Sequence, residues 1–148
     1  MKVLTIGRVI LGTFFIYASY DKLLHPLHFA EAVANYRLLP PLAASLVANA
    51  LPMFELACGL LLVFGVAVPG ASLTASLLLT VFGAAIIQAM WRGLDIDCGC
   101  FSAAAERVGY PVVIRDLALL SLSLGVLIGS LYEARMQYVQ IAQQVTAM

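Results

Sequence analysis

Charged side chains are scarce in this sequence, and their scarcity excludes most soluble folds. Lys and Arg number eight, Asp and Glu number eight, and together they make up 11% of the 148 residues, whereas apolar residues make up 63%. A soluble domain is typically about half apolar and about a quarter charged. A soluble chain of this composition would expose too much apolar surface, so we predict an integral membrane protein in contact with the lipid bilayer.

The sequence also has no net charge and few cysteines. The formal net charge is zero and no basic run occurs, so no nucleic acid partner is predicted. Three cysteines are too few for a disulfide scaffold. Two of them are separated by a single residue, and this spacing is the main functional clue.

Long apolar runs predict an all-α fold, an integral membrane four-helix bundle forming a single transmembrane domain over residues 1–148. A membrane-spanning helix needs about 20 mostly apolar residues, and four such runs use nearly the whole chain. We expect the first run to be a retained helix and not a cleaved signal peptide, because Arg8 interrupts it and no small-x-small site precedes Asp21. The predicted spans are residues 4–20, 42–68, 71–90 and 111–132.

Between the first and second spans, residues 26–39 predict a short interfacial helix. Phe29, Val33 and Tyr36 recur at helical spacing between polar residues, which is typical of a helix lying in the headgroup region. This layout puts the helix on the same side of the membrane as the loop of residues 92–110. We therefore expect it to cover the end of the bundle where that loop lies.

That loop contains a Cys-Gly-Cys sequence at Cys98, Gly99 and Cys100. A disulfide across one glycine closes a very small ring, and strained disulfides are easily reduced. A structural disulfide normally closes a longer loop, because the stabilisation grows with loop length. The pattern therefore favours a reversible redox pair. Two alternatives stay open: inert thiols, or a metal site completed by His25 and His28, although a structural zinc site usually needs four ligands.

Several charged residues could tune these thiols or act inside the bundle. Asp97 would disfavour a thiolate by like-charge repulsion, and a nearby Lys or Arg would offset that effect. Ionisable residues within spans are costly and usually paired, so Arg115 and Asp116 in the fourth span are predicted to pair or to act in the site. Glu55 in the second span is predicted to be a proton carrier or a buried polar partner, with Arg8 as its candidate counter-charge.

These residues resemble those of a known family, the DoxX-like membrane proteins, and within it the methylamine utilisation protein MauE branch. The resemblance covers nearly the whole chain, and the order and spacing of its segments are fairly specific. One departure is Ser102, where the family often has glycine. The matching segments are Arg8 with Gly12, Asp21-Lys22, Tyr36-Arg37-Leu38-Leu39-Pro40, Leu51-Pro52 with Glu55 and Gly59, Cys98-Gly99-Cys100-Phe101 and Arg115-Asp116-Leu117.

The resemblance implies a membrane thiol–disulfide redox protein that exchanges disulfides with a thioredoxin-like partner or a maturing client protein. Two alternatives are a thiosulfate or persulfide quinone oxidoreductase subunit, and a non-enzymatic assembly or transport subunit. Quinone is the one cofactor that the resemblance suggests, by analogy of fold. No metal is predicted. The predicted catalytic residues are Cys98, Cys100, Arg115 and Asp116, and the predicted residues beside the site are Asp97, Lys22, Tyr36 and Arg37.

Membrane orientation depends on two opposing arguments. Positive charges slightly favour a cytoplasmic cysteine loop. Disulfide chemistry and the resemblance favour a periplasmic or extracytoplasmic loop in a bacterial inner membrane. A margin of one charge decides little, so we predict the periplasmic side.

Overall fold

The computed structural model describes residues 2–98 and 107–146, and within them the regular secondary structure is helical. One isolated antiparallel bridge joins Asp97 to Arg107, and the described residues contain no named strand. The all-α prediction is confirmed for these residues. The helices are α1 (Lys2–Leu24), α2 (Pro26–Asn35), α3 (Pro41–Phe64), α4 (Val68–Trp91) and α5 (Tyr110–Thr146).

Three of the described helices, α3, α4 and α5, are long and apolar enough to cross a membrane. Many of their large apolar side chains lie on the outer surface of the bundle, where water would be an unfavourable neighbour. Lipid is the solvent that suits such a surface. Exposed examples are Leu42, Phe54, Phe64, Val81, Ile114 and Ile128.

Helices α1 and α3 approach each other closely where two glycines meet. A Cβ atom on Gly12 would lie 2.7 Å from the carbonyl oxygen of Gly59, and one on Gly59 would lie 2.8 Å from that of Gly12. Small residues allow this backbone approach between helices in lipid. The apolar core beside this contact contains Leu11, Phe15, Cys58, Leu62, Ala71, Ala75, Leu79 and Val126.

Helices α4 and α5 are joined by small polar side chains. The Ser76 and Ser123 hydroxyls lie 2.8 Å apart, and Ser123 also donates to the carbonyl oxygen of Ser72 at 3.1 Å. All three serines are buried. Gly83, seven residues after Ser76 on α4, faces Asp116, which is seven residues before Ser123 on α5. The two helices therefore share one polar seam.

The segment between α1 and α3 forms a shorter helix than the sequence predicts. The prediction extended it over residues 26–39, whereas α2 ends at Asn35. Arg37 has a φ of 51°, in the left-handed region, and this breaks the helical path. Residues before a proline are also biased away from the helical region, which affects Leu39 before Pro40.

The turn between α3 and α4 lies earlier than predicted. The sequence placed it after residue 68, but α3 ends at Phe64 because Gly65 adopts a φ of 74° and stops the helix. Pro69 then lies in the first turn of α4, where its missing N–H costs nothing. The pair Pro69-Gly70 thus begins a helix and does not form the turn.

The last helix runs well past the predicted end of the fourth span at residue 132. Helix α5 continues to Thr146, and residues 133–144 are exposed. This stretch has no glycine or proline and is rich in good helix formers such as Ala, Gln, Glu, Arg and Met. The helix therefore persists beyond the bundle.

Candidate functional site

The loop that carries Cys98 is closed at its base by contacts between its two ends. Asp97 and Arg107 form the isolated bridge, and the Val108 N–H donates to the carbonyl oxygen of Ile96 at 2.9 Å. The Arg107 guanidinium also donates to the Asp95 carboxylate at 2.9 Å. These contacts bring the chain on either side of the Cys-Gly-Cys sequence together.

Tyr36, just after α2, connects this loop to the segment between α1 and α3. Its hydroxyl donates to the carbonyl oxygen of Cys98 at 3.1 Å. In return, Arg92 at the start of the loop donates to the carbonyl oxygen of Tyr36 at 3.2 Å. Each segment thus holds the other's main chain with a side chain. We refer to this pair of hydrogen bonds, Tyr36 to Cys98 and Arg92 to Tyr36, as the clasp.

Cys98 itself is buried, with 1% of its surface exposed. It packs in one apolar cluster with Ile86 of α4 and Val112 of α5. Phe82, Met90, Val108 and Val113 are partly buried side chains packed against this cluster. A thiol in such surroundings is shielded from water and from a bulky partner.

A buried ion pair joins α1 to α3 inside the bundle. The Lys22 ammonium donates to both carboxylate oxygens of Glu55, at 2.6 and 2.7 Å. The two side chains are only 6% and 12% exposed. The same ammonium lies 5.1 Å from the centroid of the Phe29 ring, so α2 covers the pair from one side. The charges are therefore neutralised locally.

This ion pair shares a small cavity with Arg115 and Asp116 of α5. The cavity has a volume of about 60 Å³, and Asp116 is 5% exposed. The Asp116 carboxylate packs directly against Gly83 of α4, in space that a Cβ at that position would occupy. The remaining lining is apolar: Phe14, Phe15, Ala18, Leu51, Leu78, Leu79, Phe82 and Leu119.

The apolar cluster around Cys98 and the cavity lie at adjacent levels of the same bundle. Val112, in the Cys98 cluster, precedes Asp116 by four residues, which is one turn and about 6 Å of helix. On α4, Ile86 of the cluster follows Gly83 by three residues. Phe82 both lines the cavity and packs against the cluster. The structure thus places the Cys98 cluster and the buried acid at neighbouring levels of the bundle.

The proposed pairing of Arg8 with Glu55 is wrong, because Glu55 pairs with Lys22. Arg8 precedes Lys22 by 14 residues on α1, which is about 21 Å of helix. Its guanidinium lies against Gly65, the residue that ends α3. The last carbonyls of a helix carry partial negative charge, which suits a cation there. Arg8 therefore acts at the far end of α3 from the cavity.

The other predicted residues are divided between the loop and the surface. Asp97 lies in the bridge, and Arg37 is exposed beside the clasp. His25 contacts Asp21, and among residues 2–98 and 107–146 no group of three or more His, Cys, Asp or Glu side chains could hold a metal ion. Cys100 lies outside the described residues.

Sequence reasoning missed three contacts that organise the site. It did not pair Lys22 with Glu55, it gave no role to Gly83, and it did not foresee the Tyr36 hydrogen bond. A buried lysine after an apolar helix was a usable signal for the first, since such a group needs a partner. Glycine within an apolar run gave only a general signal of close packing.

Comparison with known proteins identifies the family of the chain. A model of the family described as methylamine utilisation protein MauE matches residues 1–129. The chain belongs to the MauE family. The matched range includes Lys22, Glu55, Cys98, Arg115 and Asp116. Together with the long apolar helices, membership of the family makes the chain a multi-pass membrane protein.

Three curated relatives share the name methylamine utilization protein MauE. The protein of Paracoccus denitrificans is 41% identical over 125 residues, covering 82% of this chain and 67% of the relative. Those of Paracoccus versutus and Methylophilus methylotrophus are 38% and 39% identical, covering 80% and 72% of this chain and 64% and 58% of the relative. The chain thus spans about two thirds or less of these relatives. No solved structure matches it.

Proposed function

We propose that this MauE family member is a membrane thiol–disulfide redox protein that uses Cys98 and Cys100 as a reversible disulfide pair. The observation that carries the proposal is the position of Cys98. The clasp holds its main chain at one end of the bundle, about one helical turn from a cavity lined by four charged side chains. Buried charges are costly in a membrane protein and usually serve a function.

The proposed reaction passes two electrons from the client to the cysteine pair, so that the disulfide moves from the protein to the client. A client thiolate attacks one sulfur of the Cys98–Cys100 disulfide, which gives a mixed disulfide and one free cysteine thiol. A second client thiol then attacks the client sulfur of this mixed disulfide. The client leaves with its own disulfide, and the protein is left as a dithiol. A thioredoxin-fold partner in its disulfide form then reoxidises the pair and leaves reduced. Arg115 supplies a positive charge on the loop side of the cavity.

The proposed membrane arrangement is a bundle of four spans, α1, α3, α4 and α5, in a single transmembrane domain of the DoxX-like type. Helix α2 has ten residues, about 15 Å of helix, which is too short to cross a bilayer. Its buried Phe29 and exposed Glu31 suit a helix lying at the interface. We place the domain in the bacterial inner membrane with the cysteine loop on the periplasmic side, where disulfides persist.

The proposed biological setting is methylamine utilisation, which is the setting named for the curated relatives. A protein that exchanges disulfides would act there on a client protein that matures with disulfides. This proposed setting is based only on the part of the relatives' length that the chain matches.

A second candidate, a non-enzymatic assembly subunit, is favoured by one observation. The pairing of Lys22 with both oxygens of Glu55 is a contact that a purely structural bundle would also use. The quinone oxidoreductase alternative gains no support from the cavity beside Asp116. The cavity of about 60 Å³ is well below the roughly 300–1,000 Å³ of typical pockets for organic ligands.

Trapping of mixed disulfides tests the proposal. Cys98→Ser and Cys100→Ser variants each keep one thiol that can form a mixed disulfide but cannot resolve it. We expect at least one of them to accumulate in a covalent adduct with a second protein that reductant releases. The matched control is Cys58→Ala, which alters a buried core cysteine and should leave adduct formation unchanged. Unaltered client maturation after replacement of both Cys98 and Cys100 would support the assembly subunit instead.

A further inference from the structure

The geometry points to Asp116 as the group that gives the Cys98 thiol its proton and takes it back. This inference rests on the proposed thiol–disulfide function. It assigns to Asp116 a role in proton transfer, beyond its expected role as a partner of Arg115.

Burial decides which sulfur an external nucleophile can reach. Cys98 is 1% exposed within an apolar cluster, so an incoming thiolate cannot approach its sulfur. Attack must therefore fall on the sulfur of Cys100, and Cys98 must be the leaving group. A leaving thiolate at this position would be a buried charge among Ile86 and Val112, which is costly. Cys98 therefore needs a proton as the sulfur–sulfur bond breaks.

Asp116 is the acid placed to supply that proton. It lies four residues after Val112 on the same helix, at the next level of the bundle from Cys98. Glu55 on α3 already accepts from Lys22 on α1 through both oxygens, so its carboxyl group is engaged in that ion pair. Arg115 adds a charge from α5, and the α4 side chains that line the cavity are the apolar Leu78, Leu79 and Phe82.

The cavity provides a route for the proton. A volume of about 60 Å³ beside Asp116 has room for water, since one site needs only about 15 Å³ and the walls carry polar partners. The close packing of the carboxylate on Gly83 fixes its position between α4 and α5. A proton can therefore reach Asp116 from the cavity while the apolar cluster keeps bulk water from Cys98.

The proton balance closes over one cycle. When the Cys98–Cys100 bond breaks, Asp116 donates its proton and Cys98 leaves as a neutral thiol, while Cys100 carries the mixed disulfide. Asp116 then remains a carboxylate until the pair is reoxidised. When an oxidised partner has formed a mixed disulfide with Cys100, the Asp116 carboxylate removes the Cys98 proton. Cys98 then attacks the Cys100 sulfur, and the partner leaves as a thiol.

Reduction by a water-soluble phosphine tests this role in the full-length protein in lipid nanodiscs. The phosphine attacks one sulfur, water converts it to the phosphine oxide, and two cysteine thiols remain. Mass spectrometry of quenched samples gives the rate for the wild type and for Asp116→Asn between about pH 5 and pH 9, a range in which buried carboxyl groups are known to lose their proton. General acid catalysis typically contributes about 10²–10⁴-fold, so we expect the variant to be at least about tenfold slower at the acidic end.

The pH dependence separates proton transfer from a structural effect. Asp116 helps only while it carries a proton, so the gap between wild type and variant should close as the pH rises. Lys22, Glu55 and Arg115, the other charged groups that line the cavity, are present in both proteins. A gap that is constant across the range, or no gap, would overturn the inference.

Two further variants keep the test decisive. Ser123→Ala is the matched control: Ser123 lies seven residues after Asp116 on the same face of α5 and also contacts α4, so its rates should match the wild type at every pH. Gly83→Ala keeps every charge but displaces the Asp116 carboxylate, and it should reproduce the acidic defect even if Asp116→Asn does not fold. Wild-type rates in Gly83→Ala would overturn the inference. If the oxidised protein contains no Cys98–Cys100 disulfide to reduce, the proposed function itself fails.

Discussion

The Lys22 ammonium lies 2.6 and 2.7 Å from the two carboxylate oxygens of Glu55, and this buried pair ties α1 to α3 at the level of the cavity. Removing one member leaves the other charge buried without its partner, which typically costs about 3–5 kcal/mol. Removing both leaves no such charge. We therefore expect the effects of replacing the two residues on the free energy of unfolding to be strongly non-additive.

We expect Lys22→Met and Glu55→Leu each to lower the free energy of unfolding by about 3 kcal/mol, and the double variant to lose much less than the sum. Denaturant titration in detergent measures these values. Asp95→Asn serves as control, because the Asp95–Arg107 pair is 69% and 73% exposed and such pairs contribute at most about 1 kcal/mol. Additive losses in the double variant would mean that the two side chains do not stabilise each other.

The contact between Gly12 and Gly59 predicts that α1 and α3 separate when either glycine gains a side chain. Gly59→Ala would bring a Cβ to 2.7 Å from Ile16 and 2.8 Å from the Gly12 carbonyl oxygen, so we expect a loss of about 1–3 kcal/mol in thermal or denaturant unfolding. Gly125→Ala is the matched control, because nothing lies within 4 Å of its Cβ position. Its stability should be unchanged or slightly higher, since alanine favours helix. Equal effects at both positions would contradict the close approach.

The clasp predicts that the Tyr36 hydroxyl keeps the main chain of Cys98 in place. Tyr36→Phe removes one hydrogen bond, which typically contributes about 1 kcal/mol, so the loop should open more often. The reduced variant should therefore react several-fold faster than the wild type at Cys98 with a small maleimide, as followed by peptide mass spectrometry. Tyr110→Phe, at an exposed tyrosine beyond the loop, should leave this rate unchanged. An unaltered rate in Tyr36→Phe would show that the hydroxyl does not hold the loop.

Membrane orientation is tested with two reporter cysteines in a background that lacks the native ones. Asp95 in the cysteine loop and Tyr138 in the extended part of α5 are both well exposed. With four spans and a periplasmic loop, Asp95→Cys should be labelled by an impermeant maleimide in intact cells, and Tyr138→Cys only after lysis. The reverse pattern would place the loop in the cytoplasm. Labelling of both in intact cells would contradict a membrane crossing by α5 between the two positions, and with it the proposed bundle.

The sequence predicted the helical class and the main elements because apolar runs and prolines act locally. It predicted the ends less well, since the stop at Gly65 and the break at Arg37 depend on single left-handed residues. Residue type alone was enough to predict four of the candidate site residues, Cys98, Arg115, Asp116 and Glu55. Their partners did not, because Lys22 and Glu55 are 33 residues apart and meet only when α1 packs on α3.

The redox state of the Cys98–Cys100 pair is the central claim, and peptide mass spectrometry of the oxidised protein measures it directly. After mild oxidation, the peptide that contains both residues should lose the mass of two hydrogen atoms, and a dithiol should restore it. The peptide that contains Cys58 should keep a free thiol throughout, because Cys58 is buried in the apolar core. Two free thiols at Cys98 and Cys100 under every oxidant would contradict the account.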